Sequence, residues 1–217
     1  MCFSPEVSFI ASAGISVIGV MTLRQTTHWR QWMFASLPLV FASQQFVEGL
    51  LWLVLLNGEM PLRQHWLTQI YSGYAGVVWP AIVPLSIMLI ESNTVRKSFM
   101  ALILIIGLAT VVSTINILIT GGFSAQIMNS SILYDYSNPI ETYTTKWSYL
   151  IAIGCAFFLS SQPVIRCIGA VNVITFGISY YLYNITYISV WCFFAAVTSG
   201  LIYFYFREQK KDINKQI

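Results

Sequence analysis

The chain has 217 residues, of which 57% are hydrophobic and only 9% are charged, and it carries a formal net charge of +3. A soluble domain must present more polar surface to water than this composition supplies, so the sequence predicts an integral membrane protein. The small basic excess lies in short connections, which favours a role in membrane orientation and argues against nucleic acid as a partner.

Seven apolar runs predict an all-α integral membrane protein, a bundle of seven transmembrane helices. This follows because about 20 helical residues cross a hydrocarbon core roughly 30 Å thick. We therefore expect one membrane domain over residues 1–206, with the lipid bilayer as its partner. The fifth and sixth runs are short and are separated only by a few polar residues. In chain order the predicted spans cover residues 5–23, 32–56, 66–90, 99–120, 147–161, 167–183 and 187–206.

The Lys and Arg residues lie mainly at alternate ends of these spans. With the amino terminus placed outside, nine of the 11 fall on the cytoplasmic side, and Arg63 and Lys146 remain outside. Because positive residues in short loops favour the cytoplasm during insertion, this count predicts an outside amino terminus and a cytoplasmic basic tail at 207–217. The connection 121–146 is then extracytoplasmic, where a loop of this length is either a binding lid or a simple connection.

Glu48 is an ionisable residue inside the second predicted span, roughly 12 Å below its outer end. Gln45, Glu48 and Trp52 recur at i, i+3 and i+7. Gln44 lies one turn before Glu48, so these four residues form one polar stripe on the helix. An ionisable side chain at this depth costs about 2.5–3.5 kcal/mol on insertion scales, which makes a functional role the leading hypothesis. The alternative is a protonated Glu48 that hydrogen-bonds across helices as a structural contact.

Trp79, together with Pro80 and Pro84, marks the third predicted span as a helix with free backbone carbonyls near mid-membrane. Helices interrupted in this way often border cavities, so we expect Trp79 beside the polar stripe. Asn116 on the fourth predicted span is a further candidate for the same site. The leading prediction is an outward-facing pocket that binds or transports a small molecule or cation through Glu48. The second, third and seventh spans and the amino-terminal segment form this pocket.

Cys2 and Cys192 support a different hypothesis. Both lie on the predicted outer side, and Cys192 is roughly 9 Å into the seventh span, near the depth of Glu48. Two thiols close together there predict an intramembrane enzyme that uses them as a nucleophile or as ligands of a metal ion. A third alternative is a seven-helix sensor. Cys155 and Cys167 show no metal-binding spacing and are expected to be small buried hydrophobic residues.

Four short sequence motifs are distributed along the chain. The motifs are Met-Cys-Phe-Ser-Pro at 1–5, Gln-Phe-Val-Glu-Gly at 45–49, Trp-Pro at 79–80 and Ser-Val-Trp-Cys-Phe-Phe-Ala-Ala at 189–196. These motifs resemble those of a family of small bacterial integral membrane proteins that is described only as a domain of unknown function. The resemblance implies a bacterial inner membrane and no mechanism, and its motifs include Cys2, Glu48 and Cys192.

Overall fold

The computed structural model of the protein describes residues 4–58, 60–128, 130–135, 147–183, 186, 190–191 and 194–216. In these residues the chain forms seven helical rods and one two-stranded antiparallel sheet. Five of the rods are long and apolar enough to cross a membrane, and another apolar rod is shorter. The helical class of the bundle is confirmed, whereas the number and direction of the spans remain predictions.

The elements are labelled in chain order as α1 (Pro5–Leu23), α2 (Trp32–Asn57), α3 (Pro61–Gly73), α4 (Trp79–Ile90), α5 (Thr94–Thr120), β1 (Ser124–Met128), β2 (Ser131–Asp135), α6 (Trp147–Phe158), α7 (Pro163–Tyr183) and α8 (Ala195–Gln216). A 3₁₀ turn at Trp29–Gln31 precedes α2. A π-helical turn at Tyr74–Val78 joins α3 to α4 in one continuous rod. A second π-helical turn, Ile151–Cys155, lies within α6.

The helix ends coincide with residues that satisfy free backbone groups or relieve strain. Ser4 accepts a hydrogen bond from the N–H of Val7 and so caps the start of α1. Gly58 ends α2 with a φ of +68°, a left-handed conformation that glycine adopts without a steric penalty. Asn93 caps the next long helix with its side-chain oxygen. Because of this cap, α5 begins at Thr94, a little over one turn before the predicted span.

The predicted basic tail is helical, because α8 continues to Gln216. Lys210 Nζ donates to the carbonyl oxygen of Arg24 at 3.0 Å, which fastens α8 to the end of α1. Lys211 and Glu208 pair at 2.6 Å on the exposed face. Such a surface pair adds only about 0.2–1 kcal/mol, so the contact with α1 is the more important for placing this segment.

The first part of the predicted extracytoplasmic connection forms a β-hairpin, and its remainder, 136–146, lies outside the described residues. The side-chain amide of Gln69 on α3 makes two hydrogen bonds to the backbone of Phe123, one in each direction and both at 2.8 Å. Tyr71 stacks on Tyr134 of β2 with the ring centroids 4.3 Å apart. The hairpin is therefore fixed to the rod that contains α3 by polar and aromatic contacts.

The main apolar core lies between α2, α4, α5, α6, α7 and α8. At the end of the bundle opposite the hairpin, four aromatic side chains form a cluster that we call the aromatic plug. Phe34 is its centre, with ring centroids 6.0 to 6.5 Å from those of Phe157, Tyr205 and Phe206. Edge-to-face contacts of this kind add to the stabilisation from burial alone, so the plug closes this end of the bundle firmly.

Cys155 and Cys167 are exposed on the outer surface of the bundle, so the prediction that they are buried is wrong. The reason is that each cysteine lies on the outward face of its helix. Cys155 shares a face of α6 with Ile151 and Phe158, which are 36% and 46% exposed, and the bundle leaves this face uncovered. An apolar side chain on such a face is expected where the surrounding medium is lipid.

Candidate functional site

Glu48 lies inside the bundle, and the polar stripe of α2 faces the interior with it. Its side chain has 0% exposure, and Gln45 Nε2 donates to Glu48 Oε2 at 3.0 Å. Gln44 and Trp52 are buried as well, with 1% and 2% exposure. The expectation that Glu48 faces the interior within hydrogen-bond reach of another polar group is confirmed. Its physical basis is the high cost of a lone ionisable group facing lipid.

A second contact joins the polar stripe to α4. Trp79 Nε1 donates to Gln44 Oε1 at 2.6 Å, and both side chains are buried. Phe41 stacks on the Trp79 ring at a centroid distance of 3.9 Å. Gln44 is near the midpoint of α2, so this contact lies at roughly 18–20 Å from either helix end. The indole is thus held in one orientation at the centre of the bundle.

Pro80 explains why the backbone leaves α-helical geometry just before Trp79. Proline has no N–H, so the carbonyl of Gly76, four residues earlier, loses its α-helical partner. The Trp79 N–H bonds the carbonyl of Tyr74, five residues back, which is the π-helical pattern. Gly76 also lets α5 approach closely, since a Cβ there would clash with Thr114 Oγ1. The interruption predicted at Trp79–Pro80 is therefore a π-helical turn, a feature frequent at functional sites.

A cavity of about 40 Å³ lies beside the contact between Gln44 and Trp79. Since a water needs about 10–15 Å³ of such space, the cavity has room for roughly three waters. Its polar lining comes from Gln44, Asn172 and Thr198, which lie on three different helices. Both π-helical turns contribute lining residues. Aromatic side chains form much of the remaining wall, namely Phe41, Trp79, Tyr149, Phe157 and Trp191.

Trp52 lies one turn from Glu48 on the side of the hairpin. Together with Leu51 it packs against Ala125 of β1 and Ile132 of β2. Its indole N–H is buried and has no hydrogen-bond partner among the described residues. Buried donors normally pair with protein or with ordered water. This N–H is therefore available to a water or a ligand at the hairpin end of the polar stripe.

Asn116 is a predicted site residue that is not brought to this position. Asn116 is exposed on the outer face of α5, beside Ile115 and Ile119, which are 41% and 79% exposed. The buried face of α5 is formed by other residues, so the inclusion of Asn116 in the pocket is corrected. Cys2 and Cys192 lie outside the described residues, and the thiol or metal site predicted for them stays a prediction.

A second buried carboxylate lies at the end of the bundle opposite the hairpin. Glu91 follows α4 and is 2% exposed. It accepts hydrogen bonds from the N–H groups of Ser92 and Asn93, each at 3.0 Å. The N–H and the hydroxyl of Ser161 each donate to it at 2.7 Å. Burial by itself raises the pKa of Glu91, but these hydrogen bonds outweigh that effect, and the pKa lies below its ordinary value.

The contacts of Glu91 join two connections that are far apart in sequence. Arg96 supports the same junction, because its Nη1 donates to the carbonyl oxygens of Leu159 and Ser160 at 3.0 and 3.1 Å. The Ser160 hydroxyl adds a longer hydrogen bond to Glu91 at 3.5 Å, so five protein donors surround the carboxylate and satisfy it. We therefore interpret Glu91 as a residue that fixes the turn between α6 and α7, and not as part of the candidate site.

The candidate site thus combines a buried carboxyl, two amide side chains, an aromatic-lined cavity and an indole N–H that has no partner among the described residues. Carboxylate and amide oxygens are ligands for hard cations, and aromatic faces attract cations through their quadrupole. In the part of the chain that the structure describes, no group of three or more His, Cys, Asp or Glu residues is arranged to hold a metal ion. Asn172 and Thr198 were missed from the sequence, although an amide within an apolar span is itself a signal.

Comparison with curated proteins and with solved structures finds no match. A family model described as a family of unknown function, DUF6629, matches residues 1–216. This match confirms the resemblance to an uncharacterised family. Because it spans nearly all of the 217 residues, the chain belongs to the family of unknown function DUF6629.

Proposed function

We propose that the protein is a seven-span protein of a bacterial inner membrane that binds and transports a small cation or amine. Its amino terminus is outside and its carboxyl terminus is in the cytoplasm. The cation pairs with the Glu48 carboxylate, which Gln45 orients. The transported cation or amine moves between the hairpin end of the polar stripe and the cavity beside Gln44.

The observation that carries this proposal is the complete burial of Glu48 within an apolar helix. Its side chain has 0% exposure, and it lies about 13 Å from the end of α2 at Asn57. An ionisable group at such a depth is expensive and in membrane proteins usually marks an ion or substrate pathway. The amide of Gln45 donates to the carboxyl at this depth and does not neutralise its charge.

The spacing of the polar stripe supports a route along α2. Gln44, Glu48 and Trp52 lie on successive turns, about 6 Å apart along the helix axis. Trp52 is covered by the hairpin, and Gln44 lines the cavity. A cation that leaves one of these residues therefore meets the next within one helical turn.

The two ends of this route are closed by different structures, as a transporter with a protected central site requires. The hairpin covers the end near Trp52. At the other end the aromatic plug is reinforced by polar contacts. Tyr205 donates to Gln162, and Gln209 contacts both Tyr205, at 2.8 Å, and Gln31, at 3.2 Å. Transport requires each closure to open in turn.

Binding is tested on purified protein in detergent by measuring the melting temperature with lithium, sodium, potassium, ammonium, methylammonium and choline chlorides. A cation at a hundred times its Kd adds about 2.7 kcal/mol to the free energy of unfolding, which raises the melting temperature. We expect at least one of these cations to stabilise the wild type and to lose this effect in Glu48→Gln. Glu6→Gln is the matched control, because Glu6 is exposed at the start of α1.

Transport is tested by uptake of the stabilising cation into liposomes that contain the protein. Uptake should be abolished in Glu48→Gln and retained in Glu6→Gln and in the Cys2→Ala, Cys192→Ala double variant. Equal stabilisation of the wild type and Glu48→Gln by every cation would exclude Glu48 as the binding group. A double cysteine variant that loses uptake while Glu48→Gln keeps it would support the thiol enzyme instead.

A further inference from the structure

A groove of about 530 Å³ lies on the surface of the bundle between the end of α2 and the start of α3, and we call it the outer groove. Its walls are mostly apolar and include Leu50, Leu53 and Leu67. Leu53 is 41% exposed although it lies on a helix of a well-packed bundle. Contiguous exposed apolar surface of this kind marks an interaction site for a protein or a lipid.

The outer groove extends from the helix ends toward the middle of the bundle. Leu50 is seven residues before the end of α2 at Asn57, or roughly 10 Å along the helix. Leu67 is six residues after the start of α3 at Pro61, or roughly 9 Å. With the helix ends at the membrane surface, the open end of the groove lies among headgroups and its floor lies among acyl chains.

Arg63 supplies the charge that selects an occupant. It lines the outer groove two residues after the start of α3. Among the described residues it has neither an ion-pair partner nor a hydrogen bond to its guanidinium, and it is one of two basic residues on the proposed outer side. A guanidinium binds phosphate oxygens in a bidentate geometry. Trp66 also lines the groove and is 59% exposed, as interfacial tryptophans are.

We propose that the outer groove binds one phospholipid of the outer leaflet. One acyl chain lies against Leu50 and Leu53, and the phosphate is bound by Arg63. This inference rests on the membrane placement in the proposed function and is independent of the role of Glu48. A protein partner is less compatible with the site, since the apolar floor lies below the level of the helix ends, where lipid is the surrounding medium.

The proposal is tested by native mass spectrometry of the purified full-length protein with added lipid. Two lipids with identical chains are compared, phosphatidylglycerol and diacylglycerol, because only the first has a phosphate. Arg63→Gln should weaken phosphatidylglycerol binding about tenfold and leave diacylglycerol binding unchanged, since only the phosphate contact is lost. Leu53→Trp fills the groove and should weaken the binding of both lipids.

Matched controls are Arg166→Gln, which removes an exposed charge at the start of α7, and Ile105→Trp, which adds bulk to another exposed apolar face. Both should retain wild-type lipid binding. The proposal is overturned if Arg63→Gln and Leu53→Trp bind phosphatidylglycerol as the wild type does. It is also overturned if the two control variants lose as much lipid binding as Arg63→Gln and Leu53→Trp do, because the lipid then forms only a general surface layer. Glu48→Gln should keep the bound lipid, so failure of this inference and failure of the proposed function are distinguishable.

Discussion

Trp79 donates its indole N–H to the amide oxygen of Gln44 across 2.6 Å, and this bond connects the middle of α2 to the first turn of α4. It joins a residue that follows a π-helical turn to the polar stripe that contains Glu48. The bond therefore fixes both the wall of the cavity and the orientation of the helix that presents the carboxyl. We expect loss of this bond to affect the stability of the fold more than ligand binding.

Trp79→Phe should lower the free energy of unfolding by about 1 kcal/mol more than Trp52→Phe does. The two tryptophans are equally buried, at 3% and 2% exposure, so both replacements leave a similar void. They differ in that the Trp52 N–H has no partner among the described residues. Unfolding in mixed micelles measures both values. Equal losses would mean that the bond from Trp79 to Gln44 adds no stability.

The helices were predictable because each apolar run is long and because the end signals are local. Ser4 and Gly58 act within one turn of the residues that they cap, so the sequence alone contains the information. The hairpin was not predictable in this way. It is held by Gln69 and Tyr71, which lie more than 50 residues before the strands they contact, and nothing in the strands themselves specifies this docking.

The core of the candidate site was predictable for a different reason. A carboxyl and two amides are so costly in an apolar span that they must face the interior, and Glu48, Gln44 and Gln45 do. Asn116 shows where that reasoning fails, because an amide can also lie near a helix end on the exposed side. Thr198 was not identified, since threonine is common in apolar helices and bonds its own backbone.

Glu91→Gln should lower the free energy of unfolding by about 2 kcal/mol. Both carboxylate oxygens accept hydrogen bonds, and an amide would place its NH2 group against the N–H of either Asn93 or Ser161. Glu208→Gln is the control, because its exposed pair with Lys211 contributes less than about 1 kcal/mol. A loss no larger than that of the control would show that the Glu91 contacts do not hold the turn.

The effect of Glu91 should also depend on pH. Its pKa is lower in the folded protein than in the unfolded chain, so its contribution is present above the unfolded value of about 4.3. The contribution is lost as the pH falls through the folded pKa. The stability difference between the wild type and Glu91→Gln should therefore be constant from pH 7 to pH 5 and shrink below about pH 4. A stability difference that grows on acidification would contradict a lowered pKa of Glu91 in the folded protein.

Gln69→Leu should release the hairpin, because it removes both hydrogen bonds to Phe123 while keeping the side-chain volume similar. Two lost bonds of about 1 kcal/mol each correspond to more than tenfold faster amide exchange in residues 123–135. Hydrogen–deuterium exchange with peptide mass spectrometry measures this. Gln126→Leu is the control, since Gln126 is an exposed residue of β1. Unchanged exchange in Gln69→Leu would mean that other contacts fix the hairpin, namely the stack on Tyr134, the packing of Trp52 and the hydrogen bond from Gln64 to the Ala125 carbonyl.

The membrane orientation can be tested at two exposed positions, Ser130 in the hairpin turn and Lys211 on α8. All four native cysteines are first replaced, because Cys155 and Cys167 are exposed and would react. In intact cells, a membrane-impermeant maleimide should then label Ser130→Cys and leave Lys211→Cys unlabelled.

The physical reason for this pattern is that the proposed topology places nine of the 11 basic residues on the side of Lys211, and short basic loops stay in the cytoplasm during insertion. Permeabilised cells provide the control, since both cysteines must react there if both are accessible. Losing the Lys211 side chain removes only an exposed pair worth less than about 1 kcal/mol, so the fold is preserved. Labelling of Lys211→Cys alone would reverse the orientation and place the hairpin in the cytoplasm. Labelling of both in intact cells would require an even number of spans between them, whereas the prediction places three spans between Ser130 and Lys211.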